Sequence, residues 1–241
     1  PRDIVWQSLA PAPRLVLRQG ATRLLAWDAG NHALRIASGA VKTIEVPTLP
    51  VPVALTGPWD LTFQAPVGAP PKTTFAGLFS WPEHPDAAIR YFSGTATYRK
   101  SFDLPASSIH DPRSSILLDL GRVEVIAEVM LNGKDLGVLW KAPFQVDITA
   151  AARPGANDLE VRITNLWPNR LIGDEQFPDD VAWDGARISA WPEWMVKGTP
   201  RPVQERVTFT TWKHYQKESS LLPSGLLGPV TVRTGRWLDV K

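Results

Sequence analysis

Between Asn165 and Asp180 the chain reads NLWPNRLIGDEQFPDD, which gathers Trp167, Asn169, Arg170, Asp174, Glu175, Asp179 and Asp180 around a short apolar run. Asp184 and Glu193 follow closely. Two chemistries use such residues. Glycoside hydrolysis needs two carboxylates facing one sugar, about 5–5.5 Å apart in retaining enzymes and about 6.5–9.5 Å apart in inverting ones. Asp174 and Glu175 are the alternative catalytic candidates, although adjacent acids on an extended chain diverge. Sugar binding needs an aromatic platform and a few placed polar groups. Trp167, Trp183, Trp191, Trp194 and Trp212 offer platforms, and Asn169, Arg170, Asp174, Glu175 and Gln176 offer hydrogen bonds. Each has a plainer reading. A Trp is more often a core or interface anchor, and Arg170 with Asp174 also reads as a loop-bracing ion pair worth at most about 1 kcal/mol if exposed. A second candidate surface, LFSWPEHPDAAIRYFSG over 78–94, carries Trp81, Glu83, His84 and Arg90. There the favoured reading is a strand connection held by Trp81.

Other chemistries are excluded or unsupported. The 241 residues include no Cys, which removes disulfides, thiolate catalysis and Cys-based zinc sites. His32, His84, His110 and His214 have no metal-like spacing. Ser224 lies in SGLLG, which lacks the G-x-S-x-G elbow. The net charge of +2 comes without a Lys/Arg cluster, so nucleic acid is not an expected partner. No apolar run approaches the roughly 18 residues that span a bilayer, so neither is a membrane. The chain begins at Pro1 with no signal peptide, and a processed or excised chain is expected.

The elements that would position these residues read as strands. In VEVIAEVML (123–131), Val123, Val125, Ala127, Val129 and Leu131 share one face, a period-2 pattern that predicts a single half-buried strand. Asn132-Gly133 then predicts a tight hairpin, since both residues tolerate positive φ. FQVDI (144–148) and NDLEVRIT (157–164) alternate in the same way, with SGTATYRKSF, SSILLDL, VTFTTW and GPVTVRT as further strands. Many short strands, 23 prolines and no long amphipathic helix predict an all-β sandwich. Residues 1–50 read as β-strand pieces, the tail of a preceding β-domain, leading into a Pro-rich linker. Residues 51–241 read as the sandwich, with a long Trp-rich loop at about 165–206.

Several stretches together resemble one family. YFSGTATYRKSFDLP, LDLGRVEVIAEVMLNGKDLGVLWKAPFQVDIT, GANDLEVRITNLWPNRLIGDEQ, TTWKHY and LLPSGLLGPV look like the C-terminal β-sandwich region of glycoside hydrolase family 106, the bacterial α-L-rhamnosidases. The strand–NG–strand core is also similar to the sugar-binding domain of family 2 glycosidases. Both resemblances imply a galactose-binding-like jelly roll. They place the catalytic carboxylates in a separate α/β barrel, of which this chain has no βαβ pattern. The implied role is therefore a non-catalytic accessory domain that packs on a catalytic domain and binds rhamnose-containing glycan. The alternatives are a purely structural docking domain and an autonomous hydrolase using Asp174 and Glu175. By the same resemblance the setting is bacterial, periplasmic or extracellular. No cofactor is expected beyond a structural calcium of the kind carried by such jelly rolls, for which Asp179, Asp180 or Asp184 would supply oxygens.

Overall fold

The computed structural model describes residues 14–18, 21–35, 39, 41–64, 72–106, 109, 111–202 and 204–240. His110, residues 1–13 and positions 36–37 of an expected strand lie outside the described residues. In chain order the strands are β1 (Arg14–Arg18), β2 (Ala21–Ala26), β3 (Gly30–Arg35), β4 (Val41–Val46), β5 (Val53–Ala54), β6 (Trp59–Gln64), β7 (Thr73–Phe75), β8 (Thr95–Leu104), β9 (Ser114–Asp119), β10 (Arg122–Glu124), β11 (Ile126–Leu131), β12 (Lys134–Leu139), β13 (Gln145–Asp147), β14 (Gly155–Thr164), β15 (Trp183–Asp184), β16 (Arg187–Ile188), β17 (Gly225–Gly228) and β18 (Thr231–Val240). Three short α-helices occur among the described residues: α1 (Ala87–Arg90), α2 (Pro168–Asp174) and α3 (Glu193–Val196).

Two antiparallel sheets face each other. One runs β12-β11-β14-β8-β6-β7, and the other β1-β2-β18-β9-β13 with β5 also on β18. Alternation explains the core between them. Leu159, Val161 and Ile163 of β14 and Ala127, Val129 and Leu131 of β11 point inward and are buried. Ile116 and Leu118 of β9, Ile148, and Val232 of β18 meet them from the opposite sheet. The residues between turn outward and pair in rows: Arg162 reaches both Glu128 and Glu160, and Arg99 reaches Glu160. The predicted hairpin forms, with Asn132 at φ 53° and Gly133 at φ 78°, and Leu131 opposite Lys134. The Asn132 amide donates to Ala151 O and Asn157 Oδ1, and its carbonyl oxygen accepts from Asp158 N, so the turn is tied to the start of β14.

The run 123–131 is not one strand. It bends at Val125, beside a cis Glu124–Val125 peptide, and becomes β10 and β11. β10 leaves the large sheet and pairs with β17, while β11 pairs with β12 and β14. Val123 and Ala127 are both buried, so the alternation survives a change of partner. Residues of the first fifty also pair with the last strand. β2 pairs with the far end of β18, Ala26 opposite Arg236, while the near end of β18 pairs with β9. Leu24, Ala26 and Val46 form a small core of their own, closed by Ile44, Leu49, Leu238 and Val240.

Trp81 is fully buried, as the packing reading of 78–94 expects. Its indole N–H donates to Tyr98 Oη at 2.6 Å, and Leu226 N donates to the same oxygen. Burial pushes the Tyr98 phenol well above its usual range, against these two hydrogen bonds, so the group is a neutral hydroxyl. Gly225 passes directly over this pair at φ +105°, where an added Cβ would lie 2.5 Å from Trp81 Nε1 and 2.8 Å from Tyr98 Oη. Gly225→Ala is therefore expected to destabilise the fold by roughly 2–4 kcal/mol through the clash and the strained φ together. A urea titration would check this, and an unchanged midpoint would contradict it.

Candidate functional site

The segment after β14 is not a plain loop. Pro168 opens α2 at a position where a missing N–H costs nothing. The helix is held from beneath by a buried polar hub. Asn165 Nδ2 donates to Phe92 O and Ser224 Oγ, and Gly94 N donates to Asn165 Oδ1. Asn169 Nδ2 donates to Leu222 O and Ser224 Oγ, and Leu222 N donates to Asn169 Oδ1. Asn169 is 1% exposed, and this nominated sugar ligand binds the Leu222 backbone and the Ser224 hydroxyl. Each polar atom of the hub has a partner, which is what makes burying it tolerable.

The nominated acids are braces. Asp174, 2% exposed, accepts from Arg170 Nη2 at 2.9 Å, Val207 N at 3.1 Å, Thr208 N at 2.7 Å and Thr208 Oγ1. The Arg170–Asp174 pair is thus buried within the protein and tied to backbone, not the exposed pair of the plainer sequence reading. Glu175 pairs with Arg206 at 3.0 Å and with Lys213 at 3.7 Å. Arg206 is 7% exposed and also donates to Asp179 Oδ1, Phe177 O and Pro178 O. Asp180 accepts from Arg201 and Gln204. Four acids of the 174–180 stretch therefore face four bases, Arg170, Arg201, Arg206 and Lys213. Neither Asp174 nor Glu175 is placed as a free carboxylate facing solvent. Among the described residues no group of three or more His, Asp or Glu side chains is arranged to hold a metal ion.

Sequence reasoning missed Arg206 and Lys213. The signal was present as charge complementarity: five acids and no base between 174 and 184, then Lys197, Arg201, Arg206 and Lys213 against one acid, Glu205.

The five nominated tryptophans separate. Trp194 packs edge-on against Phe209, and Trp183 lies under Lys213 Nζ at 5.6 Å. Trp167 is 63% exposed at the start of α2, and Trp191 is exposed before α3. Trp212 is half-exposed under the Arg187 guanidinium, 5.1 Å from its ring centre. The strand expected at VTFTTW does not form: the segment makes only an isolated bridge to the β15–β16 ribbon, with Ile188 N donating to Thr211 O and Lys213 N to Ala186 O. Arg206, Thr208, Thr210, Trp212, His214 and Tyr215 line a narrow open cleft together with Asp174, Glu175 and Asp180.

A second surface has apolar chemistry. Leu166, Pro168, Leu222 and Pro223 line a groove with Val125. Ile126 and Trp140 flank the Ala127–Leu139 pair on the outward face, and Trp140 is 67% exposed.

Two outcomes follow from the braces. Arg206→Ala leaves Glu175 and Asp179 without their shared cation, and breaking a buried pair in this way costs about 3–5 kcal/mol. Faster proteolytic cutting within 201–215, with the sandwich intact, is the expected readout. The second concerns pH. Burial opposes ionisation of Asp179, but Lys213 and Arg206 outweigh it and hold its carboxyl below the usual range. A depressed carboxyl contributes stability that is complete above the ordinary value of about 4 and is lost as pH falls through its folded value. Hydrogen exchange of 206–215 should therefore accelerate below about pH 4. Asp179→Asn should flatten part of that rise, and an identical profile in the variant would refute the assignment.

Comparison with known proteins finds one family model and several similar proteins. Residues 80–192 match the family described as Glycosyl hydrolase 2 galactose-binding domain-like. A protein of Formosa agariphila described as "Putative beta-glucuronidase" is 45% identical over 220 residues, which is 91% of this chain and 19% of that protein. Among solved structures, the rhamnosidase from Novosphingobium sp. PP1Y superposes with a TM-score of 0.62 at 28% identity, covering 89% of this chain and 21% of that one. A Ruminococcus gnavus β-glucuronidase gives 0.41 at 24% identity over 47% of this chain and 21% of its own. The chain thus spans about a fifth of the length of these relatives. The sandwich has a galactose-binding-like fold, and the family match takes in α2 but ends before Trp212.

Proposed function

We propose that this chain is a non-catalytic accessory domain of an α-L-rhamnosidase-like glycoside hydrolase, which packs on the catalytic domain and holds rhamnose-containing glycan. One observation carries the reading. The carboxylates that hydrolysis would need are occupied by arginine, lysine and backbone N–H groups, whereas three tryptophans of the same segment stay open to solvent. Acids tied in this way orient a loop; open indoles bind a flat apolar face. The likeness to the Novosphingobium rhamnosidase over nearly the whole chain supports rhamnose as the sugar of the parent. The name of the Formosa agariphila relative points instead to a glucuronide. The family resemblance implies a periplasmic or extracellular setting.

The purified chain should give saturable heat with a rhamnose-containing oligosaccharide in a calorimetric titration. It should release no p-nitrophenol from the α-L-rhamnoside. Turnover that disappears in Asp174→Ala or Glu175→Ala would replace this reading with an autonomous hydrolase. Silence across a broad panel of neutral and acidic glycans would leave only the docking role.

The docking part has its own support. Ile126, Trp140, Leu166 and Leu222 keep apolar surface exposed at one end of the sandwich, and a surface of that kind is ordinarily covered by a partner. The remaining four-fifths of the relatives' length supplies a partner of the right kind, another domain of one long chain. Trp140→Ser with Leu166→Ser should weaken association with the separately produced remainder of the parent and leave glycan binding unchanged.

A further inference from the structure

We infer that the sugar is held at the Trp212 cleft, with Trp212 as the platform and Thr210, His214 and Tyr215 as the polar contacts, and not at Trp167. The inference rests on the carbohydrate reading above and assigns it to one place. It starts from the lining. Thr210, Trp212 and His214 border the same cleft, so two polar side chains accompany one indole. Phe209 packs against Trp194, and Lys213 reaches Glu175 and Asp179, so these two side chains are already engaged. The cleft floor is fixed by the Asp174 and Arg206 braces, so these groups need little ordering when a ligand arrives.

The chemistry of the lining selects the ligand class. All three cleft carboxylates are neutralised, Asp174 by Arg170, Glu175 by Arg206 and Lys213, and Asp180 by Arg201. What remains is one aromatic face, a hydroxyl, an imidazole and a phenol. That set suits a neutral hexose or deoxyhexose whose C–H face lies on the indole and whose adjacent hydroxyls reach Thr210 and His214. Arg187 lies over the same ring with Asp184 opposite it in the ribbon, which tempers any preference for an anionic sugar. Because the cleft is narrow, a single terminal ring rests at its mouth. Trp167 differs: its neighbours Leu166 and Pro168 line the apolar groove, which offers a sugar few hydrogen bonds.

The test titrates methyl α-L-rhamnopyranoside, methyl α-D-galactopyranoside and sodium D-glucuronate into the chain and its variants. Saturation-transfer NMR reads which sugar protons touch the protein. Trp212→Ala should lower affinity for a neutral glycoside at least tenfold. Trp212→Phe should recover part of it, which a merely structural role would not predict. His214→Ala and Thr210→Val should each weaken binding several-fold, and Trp167→Ala should leave it within twofold. Unchanged binding in Trp212→Ala, or loss in Trp167→Ala alone, overturns this placement while the carbohydrate reading stands. Preference for glucuronate over both neutral glycosides overturns the ligand class. No binding of any probe by the unaltered chain overturns both.

Discussion

The open end of this molecule depends on a few buried amides and hydroxyls. Asn165 directly follows β14, and Ser224 directly precedes β17; their contact at 3.1 Å joins two points nearly sixty residues apart in the chain. Asn169 completes the arrangement from the first turn of α2. A hydrophobic contact here would hold the pieces together without fixing their angle. A fully satisfied polar network admits one geometry, because any other leaves a donor or acceptor buried and unpaired. From that fixed start, α2 projects Arg170 and Asp174 to one place, and Asp174 in turn collects Val207 and Thr208.

Charge then does what a hydrophobic core cannot do in so thin a layer. The 174–180 and 201–213 stretches carry opposite signs and meet face to face, with Arg206 touching two acids and two carbonyls. Pairs at this depth gain from their mutual attraction and from backbone hydrogen bonds, which together offset desolvation only when the geometry is good. The result is a braced rim in which Trp183 under Lys213 and Trp194 against Phe209 are used for cohesion. Trp167, Trp191 and Trp212 are left over, and their exposure is a property of the architecture.

The strands were legible because burial alternates within each one. Leu159, Val161 and Ile163 announce β14, and Asn132-Gly133 announces its turn, since few other residues accept two positive φ angles in a row. The break at Val125 was not legible. Alternation reports which residues are buried, and Val123 and Ala127 are both buried, but in different pairings. Pro168 did mark the start of α2, though a seven-residue helix leaves too short a period to be counted. The identity of the acids as braces was open in the sequence because it is decided by Arg206, about thirty residues on, and no local pattern links them. Which Trp stays exposed is likewise a matter of what folds over it.

The sharing of β18 between two cores has a consequence for how the molecule assembles. One half of this strand closes the main sandwich against β9, and the other half closes the small core under β2 and β4. Ala26 therefore has no partner until Arg236 has been made and placed. Contacts so distant along the chain are slow to form and are won late. The earliest strands must wait, unpaired on that side, while the whole sandwich is synthesised. Once joined, the two cores are no longer independent: fraying β18 from one end strips an edge from the other, so the first strands and the last stand or fall as one cooperative unit.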